Sequence, residues 1–194
     1  MSGNLWICRA CDLPAMAAEL RPHRILSIAE PGYRHLTPDG IDPNRHYHLN
    51  FDDIVEALPG YVEPSERHVS RIIELGSELT DDDRILVHCQ AGISRSSAAA
   101  LIMLAMRNPG RERDIAARLR AEGPWFVPNR LMIEIADRLS GRGAVLSVAL
   151  ASMGPPTTML NARPVGLPLQ WSGVPASAGA SGPVILQPGS AAPD

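Results

Sequence analysis

Two residues carry the clearest chemistry in this 194-residue chain: Cys89 and Arg95, in the run His88-Cys89-Gln90-Ala91-Gly92-Ile93-Ser94-Arg95-Ser96. A short apolar run, Arg84 to Val87, precedes them, and a nearly all-apolar run, Ser96 to Met106, follows. This order predicts a strand, a tight loop and a buried helix. A loop that curls onto a helix N-terminus turns its backbone N–H groups inward, and these orphan donors make an anion site with the helix dipole. Gly92 lets the backbone turn where a Cβ would obstruct it. Arg95 presents a planar fork to two phosphate oxygens, beside the amides of Gln90, Ala91, Gly92, Ile93 and Ser94. In that field a Cys89 thiolate is favoured, which puts one nucleophile next to one phosphate site. A cysteine after a strand is otherwise an ordinary core residue. The glycine and arginine at this spacing argue against that reading here.

The segment resembles the signature of the protein tyrosine phosphatase superfamily, His-Cys-x5-Arg-Ser/Thr. His88, Cys89, Gly92, Arg95 and Ser96 all stand where the pattern asks. The variant Ala91-Gly92-x-Ser94-Arg95-Ser96 looks most like the dual-specificity group. The resemblance implies a shallow α/β fold with a small central sheet of about four or five strands flanked by helices. It implies a cysteine-dependent phosphomonoesterase with a phosphocysteine intermediate and no metal or cofactor. Rhodanese-like sulfurtransferases also carry a loop cysteine after a strand, and the five-residue spacing disfavours them.

Attack by a thiolate requires a proton for the leaving oxygen. The resemblance implies an upstream aspartate, and Asp52 and Asp53 follow a strand expected over His46 to Phe51. Tyr47, Leu49, Phe51 and Asp53 share parity, so Asp53 leaves the strand on its buried face and is preferred to Asp52. Either carboxylate has a plainer use, capping a short helix that starts at Ile54. Ser96 is placed to donate to the Cys89 sulfur and help it leave, or simply to cap a helix. His88 should point away from Cys89 and brace the loop by hydrogen bonding. Pro128-Asn129-Arg130 resembles the Pro-Asn element of dual-specificity phosphatases, in which the asparagine helps hold the phosphate loop. Asn129 also suits an ordinary N-cap.

The surrounding elements must position these groups. Expected strands are Leu5 to Cys8, Arg24 to Ala29, His46 to Phe51 and Arg84 to Val87. Expected helices cover Leu13 to Leu20, with Asp12 as N-cap, then Pro64 to Leu79, Ser96 to Met106, Asp114 to Glu122 and Arg130 to Leu139. Residues 31–45 should be loop. His46 and His48 alternate opposite Leu49 and are expected to face solvent. The catalytic domain is expected over residues 1–142. Residues 143–194, rich in Pro, Gly, Ala and Ser, should form a disordered tail, although Val145 to Leu150 and Val184 to Leu186 are apolar enough to dock.

Composition excludes several classes. Aromatics make up 4% against 45% hydrophobic residues, so the core must be aliphatic. A net charge of −3 without a basic block argues against nucleic acid as partner. No run is long and apolar enough for a membrane span, and no secretory leader is visible. Cys8, Cys11 and Cys89 do not make a disulfide framework, and the default is a reducing cytoplasm and a monomer. Cys8-x-x-Cys11 lacks the partners of a zinc site. It does leave a redox role open, as a thiol guarding Cys89 or a resolving thiol in arsenate reduction.

The expected partner is a phosphorylated protein or a small phosphate ester. The uncharged interior positions Gln90, Ala91, Ile93 and Ser94 lean away from inositol lipids. The main rival is a catalytically weak phosphate-binding module that recognises a phosphorylated partner without turning it over.

Overall fold

The computed structural model describes residues 4–158 and 162–172. In chain order the elements are β1 (Asn4–Arg9), α1 (Leu13–Leu20), β2 (Arg24–Ala29), β3 (His46–Asn50), α2 (Glu66–Ser77), β4 (Arg84–Cys89), α3 (Arg95–Arg107), α4 (Glu112–Glu122), α5 (Arg130–Ser140), α6 (Val145–Ser152) and β5 (Val165–Pro168). The expected α/β class holds, with a five-stranded sheet in the order β3-β2-β4-β1-β5. β1, β2, β3 and β4 are parallel, and β5 joins β1 antiparallel.

The sheet is covered on both faces, which is why its central strands read as unbroken apolar runs. On one face α3 is the centre. Its residues from Arg95 to Ala105 are all buried, as its all-round apolar sequence requires. α2 lies against it so closely that a Cβ on Gly76 would stand 2.7 Å from the Met103 Cα. On the other face Cys8, Leu13, Met16, Ala17, Ile25 and Leu86 form a smaller cluster under α1.

Local signals explain most element ends. Ser65 precedes α2, and its backbone N–H donates to His68 Nδ1 at 3.2 Å. Asn129 caps α5, its side chain accepting from Met132 N at 3.1 Å. Asp12 stands at the cap of α1 but does not cap it, because its carboxylate is held at both oxygens by Arg9, each at 2.8 Å.

Two expectations are corrected. First, regular structure continues past residue 142, at the Val145 to Leu150 piece that was expected to be able to dock and again at β5. α6 docks through Leu146 and Ala149, and the Asp137 carboxylate accepts from the backbone N–H groups of Leu146 and Ser147 at 2.9 Å each. β5 then occupies the side of β1 that β4 leaves free. Val184 to Leu186 lie outside the described residues. Second, His46 is not solvent-facing: it is 4% exposed. The loop 31–45 covers that face of β3, and Thr37 Oγ1 meets His46 Nδ1 at 2.9 Å.

Candidate active site

The loop from Cys89 to Arg95 leaves the C-terminal end of β4, between β1 and β2. Ligand sites of parallel sheets gather at this end of the strands. Gly92 sits at φ +66°, and a Cβ there would come within 2.8 Å of the Cys8 carbonyl carbon and oxygen. The glycine is therefore required both by its conformation and by the close passage of β1.

The carbonyls of the loop are tied outward. Gln90 O accepts from Ala10 N at 3.3 Å, Ile93 O from Val127 N at 3.2 Å, and Ser94 O from Ala98 N at 3.0 Å and Asn129 N at 3.4 Å. Ser97 Oγ donates to both Ile93 O and Ser94 O. The N–H groups of Gln90 to Ser94 make no hydrogen bond to a protein acceptor among the described residues. Fixed carbonyls outside and free amides inside are the geometry of an anion cradle.

Cys89 is 1% exposed, and its Sγ lies 3.2 Å from Ser96 Oγ. That places the hydroxyl to donate to a thiolate. Arg95 is 3% exposed and is aimed by two partners: Nη1 donates to Phe51 O at 2.8 Å and Nη2 to Glu30 Oε1 at 2.6 Å. Its Nε is buried without a hydrogen bond. Burial of Glu30 works against its charge, but the hydrogen bond and charge of Arg95 outweigh that and hold its carboxyl below the usual range. Sequence reasoning missed Glu30. The signal was the Ala29-Glu30-Pro31-Gly32 turn at the C-terminal end of a buried strand, where functional side chains collect.

The two candidate acids separate clearly. Asp53 Oδ1 accepts from Ser94 Oγ at 2.7 Å and from Asn129 Nδ2 at 2.8 Å, and Oδ2 lies 3.9 Å from Arg95 Nε. Asp52 turns away: its Oδ2 accepts from Val62 N at 2.8 Å, and its own N–H donates to Val62 O at 2.7 Å. Asp52 thus closes the base of the 52–62 loop, and Asp53 stands against the Cys89–Arg95 loop. Asn129 bridges the two regions, since its Nδ2 also donates to Ile54 O at 3.1 Å and its N–H reaches Ser94 O.

His88 lies behind the loop and is fully buried. Its Nε2 is 2.5 Å from Ser27 Oγ, which also meets His46 Nε2 at 2.7 Å. The His35 ring stands edge-on to His88 with centroids 4.5 Å apart. Burial, reinforced by His35, His46 and His48, pushes the His88 pKa down to about 3. His46 is pushed down to about 4, again mainly by burial. Both are neutral braces near pH 7.

Cys8 and Cys89 sit on opposite faces of the sheet, in different apolar clusters. Burial first, then the charges of Asp12, Cys89 and Cys11, push the Cys8 thiol up to about 12. A thiol so weakly acidic is a poor resolving nucleophile. The described cysteines are all free, and the described residues contain no His/Cys/Asp/Glu group arranged to hold a metal. No helix among the described residues is long and apolar enough to cross a membrane.

No protein-family model matches the sequence, and no curated protein does. Solved structures do match. The Yvh1 phosphatase domain from Chaetomium thermophilum aligns at 19% identity and a TM-score of 0.52, covering 72% of this chain and 93% of that one. Human DUSP28 aligns at 15% identity and a TM-score of 0.53, covering 76% and 94%. The human tyrosine phosphatase-like serine/threonine/tyrosine-interacting protein aligns at 19% identity and a TM-score of 0.51, covering 71% and 91%. The chain has the fold of the dual-specificity phosphatases.

Proposed function

We propose that this chain is a cysteine-dependent phosphomonoesterase of the protein tyrosine or dual-specificity type, working through a phosphocysteine. One convergence carries the reading: Cys89 stands among unpaired loop amides, with Arg95 aimed by Glu30 and Phe51 and the Asp53 carboxylate against the same loop.

The chemistry runs in two steps. The Cys89 thiolate attacks phosphorus in line, and the bond from phosphorus to the ester oxygen breaks. The amides of Gln90 to Arg95 and the Arg95 guanidinium stabilise charge on the three equatorial oxygens. Asp53 gives its proton to the leaving oxygen. Water then attacks the phosphocysteine, Asp53 takes a proton from it, and the sulfur leaves as a thiolate that Ser96 Oγ stabilises. Inorganic phosphate is released.

Exposed side chains on the flanking loops favour a peptide or an aryl ester over a bare polyanion. Tyr33, Val55, Leu58, Tyr61, Val62 and Val127 all present at least 40% of their surface. A free thiol nucleophile suits a reducing cytoplasm, and Cys89, Arg95 and Asp53 all come from one copy, which supports a monomer.

One observation favours the rival, a phosphate-binding module with little turnover. Asp53 Oδ1 accepts hydrogen bonds from Ser94 Oγ and Asn129 Nδ2, and Oδ2 lies 3.9 Å from Arg95 Nε, so the carboxyl is tied to the loop and must give up a contact to reach a leaving oxygen. Turnover of para-nitrophenyl phosphate by the wild type, abolished in Cys89→Ser, supports the enzyme. Phosphopeptide binding by a wild type that shows no turnover supports the module.

A further inference from the structure

A sizeable groove lies away from the catalytic loop. It runs along the outer side of β3, the edge strand, whose only sheet neighbour among the described residues is β2. It encloses about 570 Å³ between His48, Leu49 and Asn50 of the strand and Arg67, His68 and Arg71 of α2.

The chain as a whole carries a net charge of −3, yet this edge is cationic. Arg67 is exposed and makes no ion pair among the described residues. The same is true of Arg45, immediately before β3, and of Arg34, which lies close enough to His46 and His48 to oppose their protonation. The one acid lining the groove, Glu74, is already paired to Arg71 Nη1 at 2.8 Å. Arg71 in turn lies over the Tyr47 ring, 4.8 Å from its centroid. His48 Nε2 is buried and has no hydrogen-bond partner among the described residues. An open strand edge and an unpaired guanidinium therefore line one groove, and the strand that lines it carries an unsatisfied imidazole.

The groove shares a wall with the active site. β3 continues into Phe51, whose carbonyl holds Arg95 and whose ring stacks on His68 at 4.8 Å between centroids. Asp53 follows two residues later.

We propose that this groove docks an extended acidic segment of a phosphorylated protein substrate, which adds along the free edge of β3 and sets a carboxylate against Arg67. Strand addition supplies main-chain hydrogen bonds, and the pockets for alternate side chains supply selectivity. At about 3.3 Å per residue, a chain lying beside β3 reaches its acidic positions roughly three to six residues from the phosphorylated one. The identity of the segment as substrate rests on the phosphatase reading, whereas the docking itself does not.

The test uses fluorescence anisotropy with labelled peptides. One carries phosphotyrosine and an acidic run about four residues away, a second has the acids replaced by serine, and a third keeps the acids and lacks the phosphate. They are titrated against the Cys89→Ser chain with and without Arg67→Glu. Turnover of para-nitrophenyl phosphate is measured separately in chains with Cys89 intact. The expected result is that Arg67→Glu weakens the acidic phosphopeptide about tenfold or more, leaves the serine peptide unchanged, and leaves para-nitrophenyl phosphate turnover unchanged, with the acidic preference falling as salt is raised. Equal affinity for the acidic peptides with and without Arg67→Glu overturns the proposal. Displacement of the acidic peptide by phosphatidylserine vesicles or an oligonucleotide at lower concentration than by unlabelled peptide overturns the partner class. If the wild type turns over no para-nitrophenyl phosphate but Arg67-dependent binding of the non-phosphorylated acidic peptide persists, the docking stands and the phosphatase reading falls.

Discussion

Between Cys89 and Arg95 the chain is held through its main chain. The segment from Asp52 to Pro64 is held at its base and by side chains. In the first region, Gln90, Ile93 and Ser94 carbonyls are each tied to backbone N–H groups of Ala10, α3 or the segment 127–129. In the second, Asp52 and Val62 close the base, and Asp53 is fixed by the Ser94 hydroxyl and the Asn129 amide. The difference separates two tasks. On the proposed function, phosphate binding would be built into backbone that few substitutions can alter. Proton transfer would depend on three exchangeable side chains, so turnover would be the more fragile property.

The largest expected effect lies in the rigid region. Arg95→Ala removes the charge that meets the equatorial oxygens and leaves Glu30 without its partner. The expected loss in kcat/KM for an aryl phosphate is about a thousandfold or more. Binding of a phosphopeptide should fall with it, measured in the Cys89→Ser background. Arg95→Lys should rescue little, because a point charge cannot replace the fork.

In the side-chain-held region, Asp53→Asn should lower kcat/KM by about 10²- to 10⁴-fold for a phosphoserine peptide and less for para-nitrophenyl phosphate, whose leaving group needs less protonation. Phosphopeptide affinity should be almost unchanged. Asp52→Asn should cost less than about tenfold, acting only through the base of the loop. Steady-state kinetics on both substrates separates the two. An Asp52 effect larger than the Asp53 effect would reverse the assignment.

Much of this comparison was legible in sequence. The Cys-to-Arg spacing and Gly92 are local features, and the alternation from Tyr47 to Phe51 extends to Asp53, which meets Ser94 of the Cys89–Arg95 loop. What was not legible depends on contacts between distant segments. Val165-Gly166-Leu167-Pro168 looks like tail because it contains a glycine and a proline, and it is a strand only because β1 has a free side to pair with. His46 follows the alternation correctly yet is buried, because the covering loop 31–45 has no periodic signal of its own. Glu30 is an unremarkable turn residue until the fold brings it 2.6 Å from Arg95.

The brace behind the loop gives a stability test. In the unfolded chain a histidine takes up its proton near pH 6.5, whereas in the fold His88 does so only near pH 3 and His46 near pH 4. The unfolded state therefore binds more protons across that interval, and stability falls as pH drops from about 6.5 toward those values. Each such histidine costs about 1.4 kcal/mol per pH unit within its window. Urea denaturation at pH 7, 6 and 5 should show the midpoint falling, and His88→Asn should flatten the fall. A midpoint independent of pH over this range would contradict the burial of a neutral pair.

The smallest expected effect is the one most specific to the comparison. Ser94→Ala and Asn129→Ala each remove one hydrogen bond to Asp53 Oδ1. Each should lower kcat about tenfold or less, and the double variant should show coupling, because both act on one carboxylate. Phosphopeptide affinity in the Cys89→Ser background should be preserved in Ser94→Ala. A loss of binding equal to the loss of kcat would show that these residues hold the phosphate loop and not the acid.

On the proposed function, Asp53 turns a backbone-built phosphate site into an enzyme. The most direct measurement is the pH dependence of kcat/KM for para-nitrophenyl phosphate in the wild type, Asp53→Asn and Asp52→Asn. A bell-shaped profile is expected for the wild type and for Asp52→Asn, with loss of the basic limb in Asp53→Asn alone. A basic limb that survives in Asp53→Asn, or that vanishes only in Asp52→Asn, would contradict it.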